Sequence, residues 1–226
     1  MADKEKVLVG WSGGKDSVLA LGEIHRSSKY EVAALLTTIT QDYDRISMHG
    51  VRRVLVERQA ESLGIALEKV YISKGADVRE YESGMRQVLE RYLAAGVSSV
   101  VFGDIFLEDV RRYREDNLSK MGMKGIFPVW GADTTELACR FIESGYKAII
   151  TCVDTNALEG RFVGRIFNRR FLSELPGTVD RCGENGEFHS FVYAGPLFGK
   201  KVLHRKGQVV LRENRFCYCD LVPVGD

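Results

Sequence analysis

Long apolar runs are missing from this 226-residue chain. None approaches the length of a membrane span, and the N-terminal stretch MADKEKVLVG has no apolar signal-peptide segment, so the sequence predicts a cytoplasmic protein with no membrane partner. An excess of either charge is missing too. The 32 basic and 31 acidic residues leave a formal net charge of +1, which gives no global pull toward nucleic acid. The five cysteines are odd in number and scattered, which argues against a disulfide framework and for a reducing compartment. Asparagine and glutamine together number nine while glutamate, lysine and arginine abound, the balance found in thermophile proteins. What is there is a globular composition, 45% hydrophobic and 28% charged, long enough for one large domain or two small ones.

Residues 6–17, KVLVGWSGGKDS, organise the rest. An apolar run, Val7 to Val9, ends in Gly10-Trp11. A loop follows, Ser12-Gly13-Gly14-Lys15-Asp16-Ser17, and then a helical pattern. Strand, glycine loop and helix N-terminus together form a cradle for phosphate. The glycines allow close backbone approach, and the first N–H groups of the helix have no partner within it. Ser12 and Ser17 add hydroxyls, and Lys15 adds charge. Asp16 is an acceptor in a place built for anions, which predicts a cation there, most simply Mg²⁺. The spacing fits neither the Walker A loop nor the dinucleotide fingerprint. It fits S-G-G-x-D-S, the loop of the PP-loop ATP pyrophosphatases, which cleave ATP between the α and β phosphates.

The first half alternates strand and helix patterns. Strands are expected at 7–11, 31–39, 65–72, 97–103 and 124–128, and helices at 17–28, 50–63, 78–95 and 107–121, three of them stopped by Gly64, Gly96 and Gly122. This predicts an α/β fold: an open parallel sheet with helices on both faces and a ligand at the carboxyl ends of the strands. Those ends carry Trp11 to Ser17, Thr37 and Thr38 beside an expected nucleotide base, and Gly103-Asp104. Asp104 reads equally as a ligand to metal or ribose and as the cap of the next helix. His49 is expected to open the helix at 50–63, as a cap or a ligand. A boundary near Pro128 separates residues 1–128 from a smaller mixed α/β domain at 129–226, with a helix at 133–145 and a strand at 147–153. Spacings of four place most of Arg161, Arg165, Arg169 and Arg170 on one helical face, either solvated or contacting substrate. Two short strands are expected around Lys206-Gly207. Cys217 and Cys219 either share a strand face or, less in keeping with their spacing, bind metal.

A second constellation is Glu184-Asn185-Gly186-Glu187, followed by His189. The Asn-Gly pair favours a tight turn that displays two carboxylates. Such a turn can hold a metal, orient an ammonium or serve as general base, and it can equally be a plain acidic turn.

With both constellations in view, the chain resembles the diphthine–ammonia ligases (diphthamide synthetases), a branch of the PP-loop ATP pyrophosphatases. The likeness rests on WSGGKDS at 11–17, GDI at 103–105, PVWG at 128–131, VGRIFNRRFLSEL at 163–175 and CGENGEFHSFV at 182–192. It implies an adenine-nucleotide hydrolase-like domain followed by a family-specific domain. The implied activity is ATP-dependent amidation of diphthine on elongation factor 2, with AMP and pyrophosphate released. ATP and Mg²⁺ are then the expected cofactors, and elongation factor 2 and ammonia the partners; self-association is left open. Lys15, Asp16, Glu184 and Glu187 are expected to be catalytic, and Asn185, Gly186, His189 and Arg165 to meet the substrate. The rival readings are a tRNA-modifying PP-loop enzyme, which a neutral surface and the lack of C-x-x-C disfavour, and a stress-type ATP-binding protein that cleaves nothing.

Overall fold

The computed structural model describes residues 4–225. The first half builds a six-stranded sheet from β1 (Glu5–Gly10), β2 (Tyr30–Thr40), β3 (Arg45–Ile46), β4 (Leu67–Ile72), β5 (Ser99–Val101) and β6 (Lys124–Ile126). The parallel part runs β4-β2-β1-β5-β6, and β3 adds a short antiparallel pair at the end of β2. Alternation along the strands sends side chains to both faces. Val7, Val9, Leu35 and Ile39 face one side, and Leu8, Ala34 and Leu36 the other. The first side is covered by α1 (Lys15–Arg26) and α2 (Arg53–Leu63), the second by α3 (Val78–Ala94) and α4 (Glu108–Ser119). The α/β sheet covered by helices on both faces is therefore present.

The second half adds α5 (Thr134–Glu143), β7 (Lys147–Asp154), α6 (Arg169–Glu174), β8 (Phe188–Ala194), β9 (His204–Arg212) and β10 (Phe216–Pro223). Its four strands form an antiparallel sheet in the order β8-β7-β10-β9. The buried face of α1 and that of β7 and β8 belong to one core: Val18, Leu21, Phe141, Ile149, Phe188 and Phe191 pack in a single cluster. Within it Phe141, Phe162, Phe167, Phe171 and Phe188 meet ring to ring at centroid distances of 5.3–6.2 Å. Among the described residues no helix is long and apolar enough to cross a membrane.

Three local expectations are corrected. Lys206-Gly207 is not a turn but lies inside β9, opposite a register shift at Cys219/Leu221. Glycine there admits the Val222 and Asp220 side chains, which a Cβ would meet at 3.1–3.2 Å. The turn comes later, at Glu213 and Asn214, which take the left-handed conformation with φ of 53° and 48°. The four arginines do not share a helical face. Gly164, with φ of 73°, breaks the segment into a 3₁₀ turn at Gly160–Phe162 and the short α6. Arg161 pairs with Glu159, Arg169 with Glu143, and Arg165 and Arg170 both with Glu174. His49 does not open α2. It sits in a turn after β3, four residues before Arg53. The neighbours Met48 and Gly50 are left-handed, and Gly50 packs where Tyr218 leaves no room for a side chain.

Replacing the buried Phe171 by alanine removes the centre of the aromatic cluster. We expect a loss of about 3–5 kcal/mol in urea denaturation. A loss below about 1 kcal/mol would mean that this cluster does not hold the second half together.

Candidate active site

The glycine loop joins β1 to α1. Gly14 is the N-cap of α1 and caps nothing, so the first N–H groups are left to outside partners. Lys15 N–H donates to Ser190 Oγ on β8 at 3.2 Å, and Val192 N–H on the same strand donates to the Gly13 carbonyl at 2.9 Å. The loop is thus pinned from behind by the second sheet. Gly103 packs against the start of α1, where a side chain would stand 2.6 Å from the Asp16 carbonyl. Ser12 Oγ accepts from Gly14 N–H at 3.3 Å, while the Ser17 hydroxyl donates to the Gly14 carbonyl at 2.9 Å.

A cavity of about 580 Å³ opens in front of this loop at the carboxyl ends of the strands. Of the residues picked out by sequence, Trp11, Ser12, Lys15, Asp16, Ser17, Thr37, Thr38, His49, Gly103, Asp104, Glu184, Gly186 and His189 line it. Gly13 and Gly14 lie behind it as loop backbone. Glu187 does not line it. That side chain is buried inside the 180–187 turn, where it accepts from Asp180 N–H and the Asn185 amide, each at 3.0 Å. Asn185 is exposed beside it. Arg165 lies outside the cavity, bound to Glu174 at 2.7 Å and set over the rings of Phe162 and Phe171. Asp104 does not cap α4, whose N-cap is Leu107; it pairs with Arg114 at 2.7 Å. Cys217 and Cys219 occupy alternate positions of β10, both buried. Among the described residues no three His, Cys, Asp or Glu side chains come together as a metal cluster.

Lys15 is buried, with 2% of its surface exposed. Its ammonium lies 2.9 Å from Asp16 Oδ2 and 5.2 Å from the Phe188 ring centroid. Burial works against that charge, but Asp16 chiefly, with Cys182 and Glu184, outweighs it and holds the pKa above its ordinary value. Burial lifts the Asp16 carboxyl despite Lys15, and its Oδ1 is buried without a hydrogen bond. Glu184 crosses to the first sheet, where its Oε1 accepts from Ile105 N–H at 2.7 Å. Burial, opposed by that hydrogen bond and aided by Asp16, pushes Glu184 up to about 7. The rings of His49 and His189 meet at 4.4 Å. Burial first, then the neighbouring His189 and Lys15 for His49 and the Lys15 charge for His189, keep both imidazoles neutral: His189 falls to about 4 and His49 well below its ordinary value.

Several supporting residues were missed in the sequence. Gln59, fully buried on α2, bonds Trp11, Gly13 and Val192. Its signal was an amide among the buried residues Leu55, Val56 and Ala60. Asp180 ties the second turn together, accepting from the N–H groups of Cys182 and Glu184 at 2.9 and 3.0 Å. Ser190 stood in the CGENGEFHSFV segment without being singled out. Arg114 carried no signal.

Comparison with known proteins gives this pairing of loop and turn a family. A model of the diphthamide synthase N-terminal domain matches residues 5–125, and one of the diphthamide synthase C-terminal domain matches residues 133–219. The chain belongs to the diphthamide synthase family. A relative from Danio rerio, a diphthine–ammonia ligase, is 26% identical over 228 residues, covering 90% of this chain and 88% of the relative. A diphthine–ammonia ligase of Schizosaccharomyces pombe is 26% identical over 95% of this chain, which spans 40% of that protein. The Homo sapiens ligase is 27% identical over 70% of the chain and 60% of its own length. Membership places the chain among ligases.

The raised value of Glu184 fixes a sign. The folded protein keeps a proton between the ordinary 4.5 and about 7 that the unfolded chain releases. The associated stability is present below that window and is lost as pH rises through it. Denaturant midpoints followed over this range should fall for the native protein relative to Glu184→Gln. Parallel curves would remove the assignment.

Proposed function

We propose that the chain uses ATP to amidate diphthine on elongation factor 2, giving diphthamide, AMP and pyrophosphate. The observation that carries this reading is that the phosphate-type loop and the Glu184 turn, 167 residues apart in the chain, face each other across one cavity. We assign the nucleotide loop to residues 1–128 and the acceptor wall to 129–226.

A carboxylate is a poor acyl donor because oxide would have to leave. In the first step a carboxylate oxygen of diphthine attacks the α-phosphorus, and the bond to pyrophosphate breaks. The charge that develops there is met by loop N–H groups and the Lys15 ammonium. In the second step ammonia attacks the carbonyl carbon of the acyl-adenylate, and the bond to AMP breaks. The nitrogen must shed a proton. Glu184, with a pKa of about 7 and placed across from the loop, is suited to take it. His49 and His189, held neutral, offer hydrogen bonds without adding charge. Thr37, with a buried hydroxyl that has no partner, is suited to a polar group of the nucleotide. Glu187 and Asp180 position Glu184 rather than react.

Asp16, through its unpartnered Oδ1, would hold a Mg²⁺ ion beside the nucleotide. Such an ion would offset negative charge on the phosphates. A reaction on a translation factor places the protein in the cytoplasm, with ammonia free or handed over by a partner.

Supplied with ATP, ammonium and diphthine-bearing elongation factor 2, the enzyme should release AMP rather than ADP, and Asp16→Ala should release none. Normal amidation by that variant would sink the loop assignment. Glu184→Gln should keep pyrophosphate–ATP exchange yet form amide about a hundredfold more slowly. Equal loss of both half-reactions would assign Glu184 to the first step instead.

A further inference from the structure

The mechanism leaves the buried amide of Gln59 without a task, although it bonds to Trp11 just after β1, to Gly13 in the loop and to Val192 on β8. Its orientation is fixed by chemistry. Trp11 Nε1–H can only donate, and it lies 3.0 Å from Gln59 Oε1. The amide nitrogen therefore faces two carbonyls, Gly13 O at 3.0 Å and Val192 O at 2.5 Å. Both of its protons and its oxygen are used. The Gly13 carbonyl receives a second bond from Val192 N–H at 2.9 Å.

In a trans peptide the carbonyl and the following N–H point in opposite directions. Drawing the Gly13 carbonyl back toward α2 and β8 therefore turns the Gly14 N–H forward, to the concave side of the loop. There its partner is Ser12 Oγ, at 3.3 Å. The peptide lies between two glycines, and Gly13 is left-handed with φ of 77°, so side chains do little to hold its rotation. Gln59 also stands directly behind Gly13, where a Cβ would meet its Oε1 at 2.6 Å.

We propose that Gln59 is a positioning residue for nucleotide binding: it aims the Gly14 N–H at the bound phosphate and makes that aim depend on β8. This rests on the nucleotide reading above. The side chain does not line the cavity.

The test is calorimetric titration with a non-hydrolysable ATP analogue, well below the unfolding temperature of each variant. Gln59→Met keeps the volume but removes both donors. We expect its dissociation constant to rise about tenfold, the worth of one to two hydrogen bonds. Val88→Ala, in the separate core under α3, serves as a variant that loses stability with no change in analogue affinity. Gln59→Met that is destabilised yet binds like the native protein overturns the proposal. Native protein that binds no analogue overturns the nucleotide reading itself. If Gln59→Met does not fold, the native protein still decides the matter by NMR. The Gln59 amide signals should shift on adding the analogue while those of Gln87 and Gln208 stay put, and unmoved Gln59 signals overturn the proposal.

Discussion

A buried lysine has to keep its charge, and much of this structure follows from that requirement. Taking an ammonium out of water is costly unless paired charge surrounds it. Lys15 obtains Asp16 from its own loop, and from the second half of the chain it obtains Glu184 and the faces of Phe167 and Phe188. Neither half supplies the full set. The β8 bonds to Gly13 and Lys15 and the shared apolar core express the same dependence.

The loop end of the first sheet carries groups that folding alone leaves unsatisfied. Buried polar atoms without partners are few in native structures. Here Asp16 Oδ1, Thr37 Oγ1 and His49 Nδ1 belong to residues that line one cavity. The same place combines a helix start that caps nothing and a carboxyl, Glu184, held near neutral pKa. Conflicts between local rules and the fold are expected to gather where a protein works.

The sequence was readable where a local rule had one solution. Apolar runs of strand length bounded by glycine gave the parallel sheet, because a strand buried on both faces has few other patterns. The loop was readable because glycines, serines and an aspartate at fixed spacing suit an anion at a helix start. Tertiary packing decided what was misread. Gly207 looks like a turn residue but lies within a strand beside a bulge, and Gly164 breaks a run of arginines that has helical spacing. His49 was brought to the site by a turn, not by a helix start. Two carboxylates three residues apart, Glu184 and Glu187, could not be told apart by type. The direction each faces out of the turn separates them, one toward Ile105 and the cavity, the other toward Asp180. Gln59 offered only a faint signal, an amide on the apolar side of a helix, because such an amide acquires its meaning from the three groups around it.

The central claim is that the two walls of this cavity act on one carboxylate, which is first joined to AMP and then to nitrogen. Labelling the diphthine carboxylate with oxygen-18 tests this directly. If an acyl-adenylate forms, one labelled oxygen leaves with AMP and appears in its phosphate by mass spectrometry. Label found in inorganic phosphate beside ADP, or amide formed with no label in AMP, would contradict the account.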